Sequence, residues 1–291
     1  TSDTLTVGGG GINNQSTSTQ TLTVPIALNT SQTWTAASGN LVFNGTFILN
    51  GAHTLTVAGD FNTTISAPIG AGSGGLVKNG AGLLTLSGAN TFTGGVTLNA
   101  GVVSIGSDTH LGATSGGLTF AGGTLFTSAG ITSTRTLTLN SGGGTFDTNG
   151  FNSTLSGVLS GSGGFTKSGT GTLTLTGANT YSGGTTINGG TLTGNTTSLQ
   201  GAIVNNAALT FDQAATGTFA GAISGTGSVT KQSSGTLTLT GTNTYSGGTT
   251  VSAGTLTGST TSLPGSIINH AALVFDQAVN GTTTGAISGT G

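Results

Sequence analysis

The chain has 291 residues, a formal net charge of −2 and charged groups at only 3% of positions, against roughly a quarter in ordinary globular domains. Its four cations, Lys78, Arg135, Lys167 and Lys231, cannot build the basic footprint that nucleic acid or an anionic lipid surface needs. The absence of Cys removes disulfides, thiol chemistry and Cys-zinc sites.

From the first residue onward the strand signal is the one that recurs. No run approaches the ~18 apolar residues of a membrane helix, and no stretch has helical periodicity. Thr1 is followed by no charged-then-apolar leader, so the chain reads as a mature or excised piece. Short runs with period-two alternation predict strands at 21–24, 41–49, 54–57, 83–86, 136–139, 172–176 and 236–240, each bounded by Gly, Asn or Ser. In the TLTLT run, Leu173 and Leu175 point to the core while Thr172, Thr174 and Thr176 point outward. The 57 Gly fall between these runs and supply corners, not a collagen period.

Three stretches are near-copies: LVKNGAGLLTLSGANTFTGGVTLNAG at 76–101, FTKSGTGTLTLTGANTYSGGTTINGG at 165–190 and VTKQSSGTLTLTGTNTYSGGTTVSAG at 229–254. Their lysines, Lys78, Lys167 and Lys231, are 89 and 64 residues apart. A repeated strand–turn unit is stacked on itself, which makes 1–291 one continuous solenoid with linker coils between the copies. At about 20–25 residues per coil, 64 residues hold three coils and 89 hold four. The fold class is therefore all-β, a parallel β-solenoid of about thirteen coils and roughly 60–65 Å at the inter-strand spacing. Gly163, Gly227 and Gly291 share one register, and no polar cap marks either end, as in a piece of a longer array.

The pattern G-(apolar)-x-K-x-G-x-G-x-L-T-L-(S/T)-G-x-N-T-(Y/F)-(S/T)-G-G-(T/V)-T-(apolar) resembles the passenger-associated β-strand repeats of bacterial autotransporters and related giant surface proteins. The third copy departs from it at Ser228 and Ser233, which stand in Gly positions. The resemblance implies a right-handed parallel β-helix outside the cell or on its surface, with a stalk, adhesive or fibre role. It transfers no catalytic residue. A full autotransporter also carries a C-terminal membrane barrel, of which the final …AISGTG has no strands.

Parallel β-helices also host polysaccharide lyases and hydrolases, which need clustered carboxylates or carboxylates with a base and an Arg. The six Asp are Asp3, Asp60, Asp108, Asp147, Asp212 and Asp276. Stacking by three coils places Asp212 and Asp276 on one face about 14 Å apart, beyond the ~5–9.5 Å of paired carboxylates. His270 takes the place of Asn206 one repeat earlier and reads as a corner polar group, as do His53 and His110. The segment SGGGTFD from Ser141 has part of a calcium-binding Gly-rich pattern but reads better as a corner with Asp147 capping the turn. Lys78, Lys167 and Lys231 read as solvated charges that discourage wrong edge pairing, with Asp212 or Asp276 as partners in reach.

Phe92, Tyr181 and Tyr245 share one repeat position and read as packing aromatics, the alternative being a sugar-binding column. Trp34 reads as core. Outward Thr columns through Thr174 and Thr238 raise the separate idea of an ice-binding face. The sequons at Asn44, Asn62 and Asn152 are assigned no function. No catalytic, cofactor-binding or metal residue is assigned, and no cofactor is expected. The expected function is a structural extracellular rod, part of a surface adhesin, stalk or self-stacking fibre. A carbohydrate-binding or, with less support, carbohydrate-cleaving β-helix is the alternative. The expected partners are the chain itself by end-to-end stacking, neighbouring repeats of a longer chain, or a surface glycan; nucleic acid and a transmembrane segment are not expected.

Overall fold

The computed structural model describes residues 3–70 and 72–291; Thr1, Ser2 and Ala71 lie outside the described residues. The strands are parallel and stack as a β-solenoid of about 14 turns. Read along the chain they cycle through three walls, here faces I, II and III. Leu5–Val7, Ile12–Asn14 and Gln20–Leu22 are the first strands of the three faces. The alternation that predicted the strands is the alternation of burial: Leu173 and Leu175 are buried while Thr172 and Thr174 are half-buried and Thr176 is exposed.

Each coil packs its inward side chains on those of the coil below. One column of face II runs Leu55, Leu76, Val96, Leu118, Leu137 and Leu159 in direct register. The buried core extends from Val7 to Ile267 along the whole stack. Trp34 is fully buried and stacks on Phe43 with ring centroids 4.1 Å apart. The predicted strand 41–49 is two strands, Leu41–Phe43 on face III and Ile48–Leu49 on face I. Gly45 forms the corner between them, where a Cβ would lie 2.3 Å from the Val24 carbonyl oxygen.

Coil length varies. The step between in-register residues is 17 from Thr191 to Ala208 and 23 from Trp34 to Val57. This variation overturns the expectation that 64 residues make a whole number of coils. Lys167 lies on face III and three steps up that face lead through Ile187 and Asn205 to the level of Gly225, after which the next strand, Ser228–Gln232 with Lys231, lies on face I. Lys78 lies on face II and four steps lead through Leu98, Phe120 and Leu139 to Gly161, after which the next strand, Phe165–Ser168 with Lys167, lies on face III. Each copy of the repeat is therefore displaced by whole coils plus one face.

The displacement explains why, among the described residues, the three walls are divided into five sheets. Face I has three strands ending at Ile48–Leu49, which bridges on to Ile69, and resumes at Thr132–Ser133 for nine more. Between them the wall is the loop around Phe92 and the 3-10 turn Asp108–Leu111. Face II is interrupted in the same way between Leu159–Gly161 and Gly217–Phe219, by the loops around Tyr181 and Leu199. The sheet of face III stops at Ile223–Ser224, with the loops around Tyr245 and Leu263 above it. Each copy interrupts one face, and the interruption moves to the next face with the next copy.

Candidate functional site

The residues that the three copies share converge on the inside of the rod. Lys78, Lys167 and Lys231 are at most 1% exposed, which corrects the reading of them as solvated strand charges. In F-T-K, Phe165 and Lys167 are both inward and Thr166 is outward, so strict alternation puts the lysine on the core side. The stem lies between Phe146 and Ile187 of the adjoining coils. The ammonium reaches the corner, where it donates to the carbonyls of Ser168 and Gly169 at 2.8 Å and of Gly189, one coil on, at 3.0 Å. Lys231 repeats this with Gln232, Ser233 and Ala253 at 2.8, 2.6 and 3.1 Å. Lys78 donates to Asn79 and Gly80, both at 2.7 Å.

Lys167 and Lys231 thus place three N–H bonds, and Lys78 two, on carbonyls of the corner. Burial drives the Lys78 and Lys167 ammonium groups down to about 8, against the upward pull of Asp60 and Asp147 respectively. Lys231 is lowered by the same cause, against Asp212.

A second shared group went unread in the sequence. The Asn of G-x-N-T is buried in every copy: Asn90, Asn179 and Asn243 are 4–5% exposed. Asn179 accepts from the Leu159 N–H at 2.8 Å below it and donates to the Ser198 carbonyl at 2.7 Å above it. Asn243 does the same with Ile223 at 2.8 Å and Ser262 at 2.6 Å. Asn90 takes the Ile69 N–H at 2.8 Å and gives to the His110 carbonyl. Each amide bridges three successive coils at the face where the sheet is interrupted. Asn beside Gly reads first as a turn residue, and only its recurrence in all three copies could have distinguished it.

Phe92, Tyr181 and Tyr245 are buried, as their packing reading required. The two tyrosine hydroxyls bond to Thr185 and Thr249 Oγ1 at 2.7 and 2.6 Å. Burial holds both tyrosines above the ordinary value, Tyr245 at about 12.

Arg135 is also buried. All five of its N–H groups are used: Asp108 Oδ1 at 2.9 Å, the carbonyls of Ala113 (2.6 Å), Gly116 (2.8 Å) and Asp108 (3.0 Å), and that of Gly112. It clamps the segment 108–116 to the wall above. Among the described residues this is the one ion pair within 4.0 Å.

The expected alignment of acids does not hold. Asp212 ends a strand of face I, Asp276 follows a strand of face II, and Asp147 ends a strand of face III. The cause is the extra third of a coil in each repeat. Asp147 caps its turn by accepting from the Asn149 N–H at 2.8 Å. His110 Nδ1 accepts from the Gly106 N–H at 3.2 Å and is lowered by burial, His53 is half-buried, and His270 is an exposed corner group facing Thr290. Among the described residues no three His or acidic groups come together.

The Thr columns also differ from expectation. Thr238 lies on face II with Thr218 and Thr257, whereas Thr174 belongs to a face I column of Thr132, Thr154, Thr174, Thr193, Thr210, Thr230 and Thr250. Among the described residues the outer surface carries shallow grooves. One of 380 Å³ is lined by Thr196, Gln200, Thr218 and their neighbours, and another of 230 Å³ by the glycines around Ser141.

The family model described as passenger-associated-transport-repeat matches residues 76–105, 165–193 and 229–257. Three stretches of the chain are similar to this repeat. A curated relative, "Adhesin BmaC autotransporter" of Brucella suis biovar 1 (strain 1330), is 44% identical over 157 residues, which is 51% of this chain and 5% of that protein. The chain thus spans a small fraction of the length of that relative. No solved structure matches. The matched residues are the ones that carry the buried Lys, Asn and Tyr/Phe positions, so the repeat is a unit of internal construction.

Proposed function

We propose that this chain is a rod segment of an extracellular bacterial surface protein of the autotransporter kind, with a non-catalytic, spacing role. The observation that carries the reading is the core from Val7 to Ile267, continuous through three repeats whose shared residues all serve stacking. The name of the relative and the repeat family support a place outside the cell or on its surface. About 14 turns make a rod of roughly 65 Å at the inter-strand spacing. Its partners are coils of the same kind, in one longer unit or in a second copy, because a stacked sheet offers unpaired N–H and C=O groups only at its ends.

Negative-stain electron microscopy across a concentration series tests the proposal. Straight rods about one solenoid wide support it, and lengthening with concentration adds self-stacking. Compact round particles overturn it. A glycan array tests the alternative partner, and reproducible binding of one glycan class replaces the spacing role with a carbohydrate-binding one.

A further inference from the structure

We propose that each repeat copy is a mechanical lock, and that the rod yields under tension in blocks set by the spacing of the locks. The inference rests on the rod reading above and adds how the rod bears load.

In a solenoid each coil contacts only its neighbours, so pulling on the two ends loads the stack coil by coil. Between copies the boundaries are parallel backbone ladders and inward apolar columns, apart from the Arg135 clamp on segment 108–116, which adjoins the first copy and holds the same coil as Asn90. Once one such coil opens, the next meets the same resistance and follows. The copies differ. There one face has no sheet ladder, and a buried amide spans the gap: Asn90, Asn179 or Asn243, each bonded to the coil below and the coil above. In the second and third copies the lysine ties a further corner to the next coil, through Gly189 and Ala253. The amide bonds of Asn179 and Asn243 are buried on both sides, while the Asn90 bond to His110 and those of the lysines are partly buried. All join one coil to the next, so they must break together when the coil is drawn away.

The rotation of the copies bears on the same point. The interruption falls on face I, then II, then III. No face is weakened twice in succession, and each lock is flanked by two intact walls. Loops interrupting one face at every copy would instead make a seam along which the rod could open.

Single-molecule stretching of the full chain between its ends tests the proposal. The locks at Asn90, Asn179 and Asn243 are 89 and 64 residues apart, so the expected length increments are about 320 and 230 Å at ~3.6 Å per residue. Asn179→Leu should merge these two into one increment. Thr180→Ala, beside it, should leave both in place. Increments of single coils, or one rupture for the whole chain, would overturn the proposal, as would an Asn179→Leu protein that keeps both increments. If that variant does not fold, the wild-type increments decide alone. Rods in the microscope without the two increments would sink the lock while leaving the rod reading intact; compact particles would sink the rod reading itself.

Discussion

Tyr181 and Thr185 share a hydrogen bond of 2.7 Å inside the core, four residues apart across a corner, and Tyr245 and Thr249 repeat it at 2.6 Å. In the first copy the same two positions are Phe92 and Val96, both buried and with no hydroxyl between them. The hydroxyls are present together or absent together. A buried hydroxyl that loses its partner carries the cost of its own desolvation, whereas an apolar pair of similar shape carries none.

Tyr181→Phe alone should therefore lower stability by about 1–2 kcal/mol, because it orphans the Thr185 hydroxyl. Adding Thr185→Val should recover most of that loss. Chemical denaturation of the single and double variants gives the coupling directly. Strict additivity of two losses would show that the hydrogen bond is not the reason for the pairing.

The buried lysines give a pH dependence with a definite sign. Lys78 and Lys167 are held at about 8 in the folded protein by burial, below the ~10.4 of an unfolded chain. Between those values the unfolded state holds protons that the folded state has released, so stability rises with pH across that window. Below about 8 the full cost of carrying a buried ammonium is present. Denaturant midpoints at pH 7.5 and pH 10, in wild type and in Lys167→Met, should show a smaller rise in the variant. In Lys167→Met the Gly169 and Gly189 carbonyls lose a donor, a cost of about 1–3 kcal/mol, which relief of the buried ammonium offsets near neutral pH and leaves uncompensated at pH 10. An equal rise in both proteins would show that Lys167 does not titrate in the window.

Ser233 adopts φ +67°, where the first and second copies have Gly80 at +73° and Gly169 at +76°. A left-handed conformation costs a non-glycine residue roughly 1–2 kcal/mol, part of which glycine gives back in chain entropy. Ser233→Gly should therefore stabilise the protein by up to about 1 kcal/mol. The bond from the Ser233 hydroxyl to Asp212 lies at an exposed corner and offsets little of this. A drop in the thermal midpoint would mean that this bond outweighs the backbone strain.

The two sides of a strand should differ sharply. Leu175 is buried and Thr174 faces outward in the same strand. Leu175→Asp should cost several kcal/mol, as an unpaired charge in the core, and Thr174→Asp should fall within about 1 kcal/mol. Comparable losses would mean that the faces are assigned the wrong way round.

The fold was legible in the sequence because alternation and turn chemistry agree. Leu173, Leu175 and Thr174 sit where period two puts them, and Trp34 and Tyr181 are buried as read. The lysines were misread by giving charge more weight than alternation. F-T-K already places Lys167 beside Phe165, and the corner carbonyls that make this tolerable are a three-dimensional feature. The rotation of the copies was not legible, because coil length drifts between 17 and 23 residues. A spacing of 64 fits three coils as easily as three and a third. The asparagine bridges were hidden for a related reason: their partners, Leu159 and Ser198, are set by stacking and lie about twenty residues away on either side.

Each copy begins one face further round the rod, and distances between spin labels test this most directly. Thr174 and Thr230 lie in one column, three coils apart, so their backbones should be about 14 Å apart. Thr174 and Thr238 occupy the same repeat position in two copies but lie on faces I and II. Electron paramagnetic resonance of the two doubly labelled proteins should show the stronger dipolar coupling for 174/230. Stronger coupling for 174/238 would mean that equivalent positions stack on one face, and the rotating repeat would be wrong.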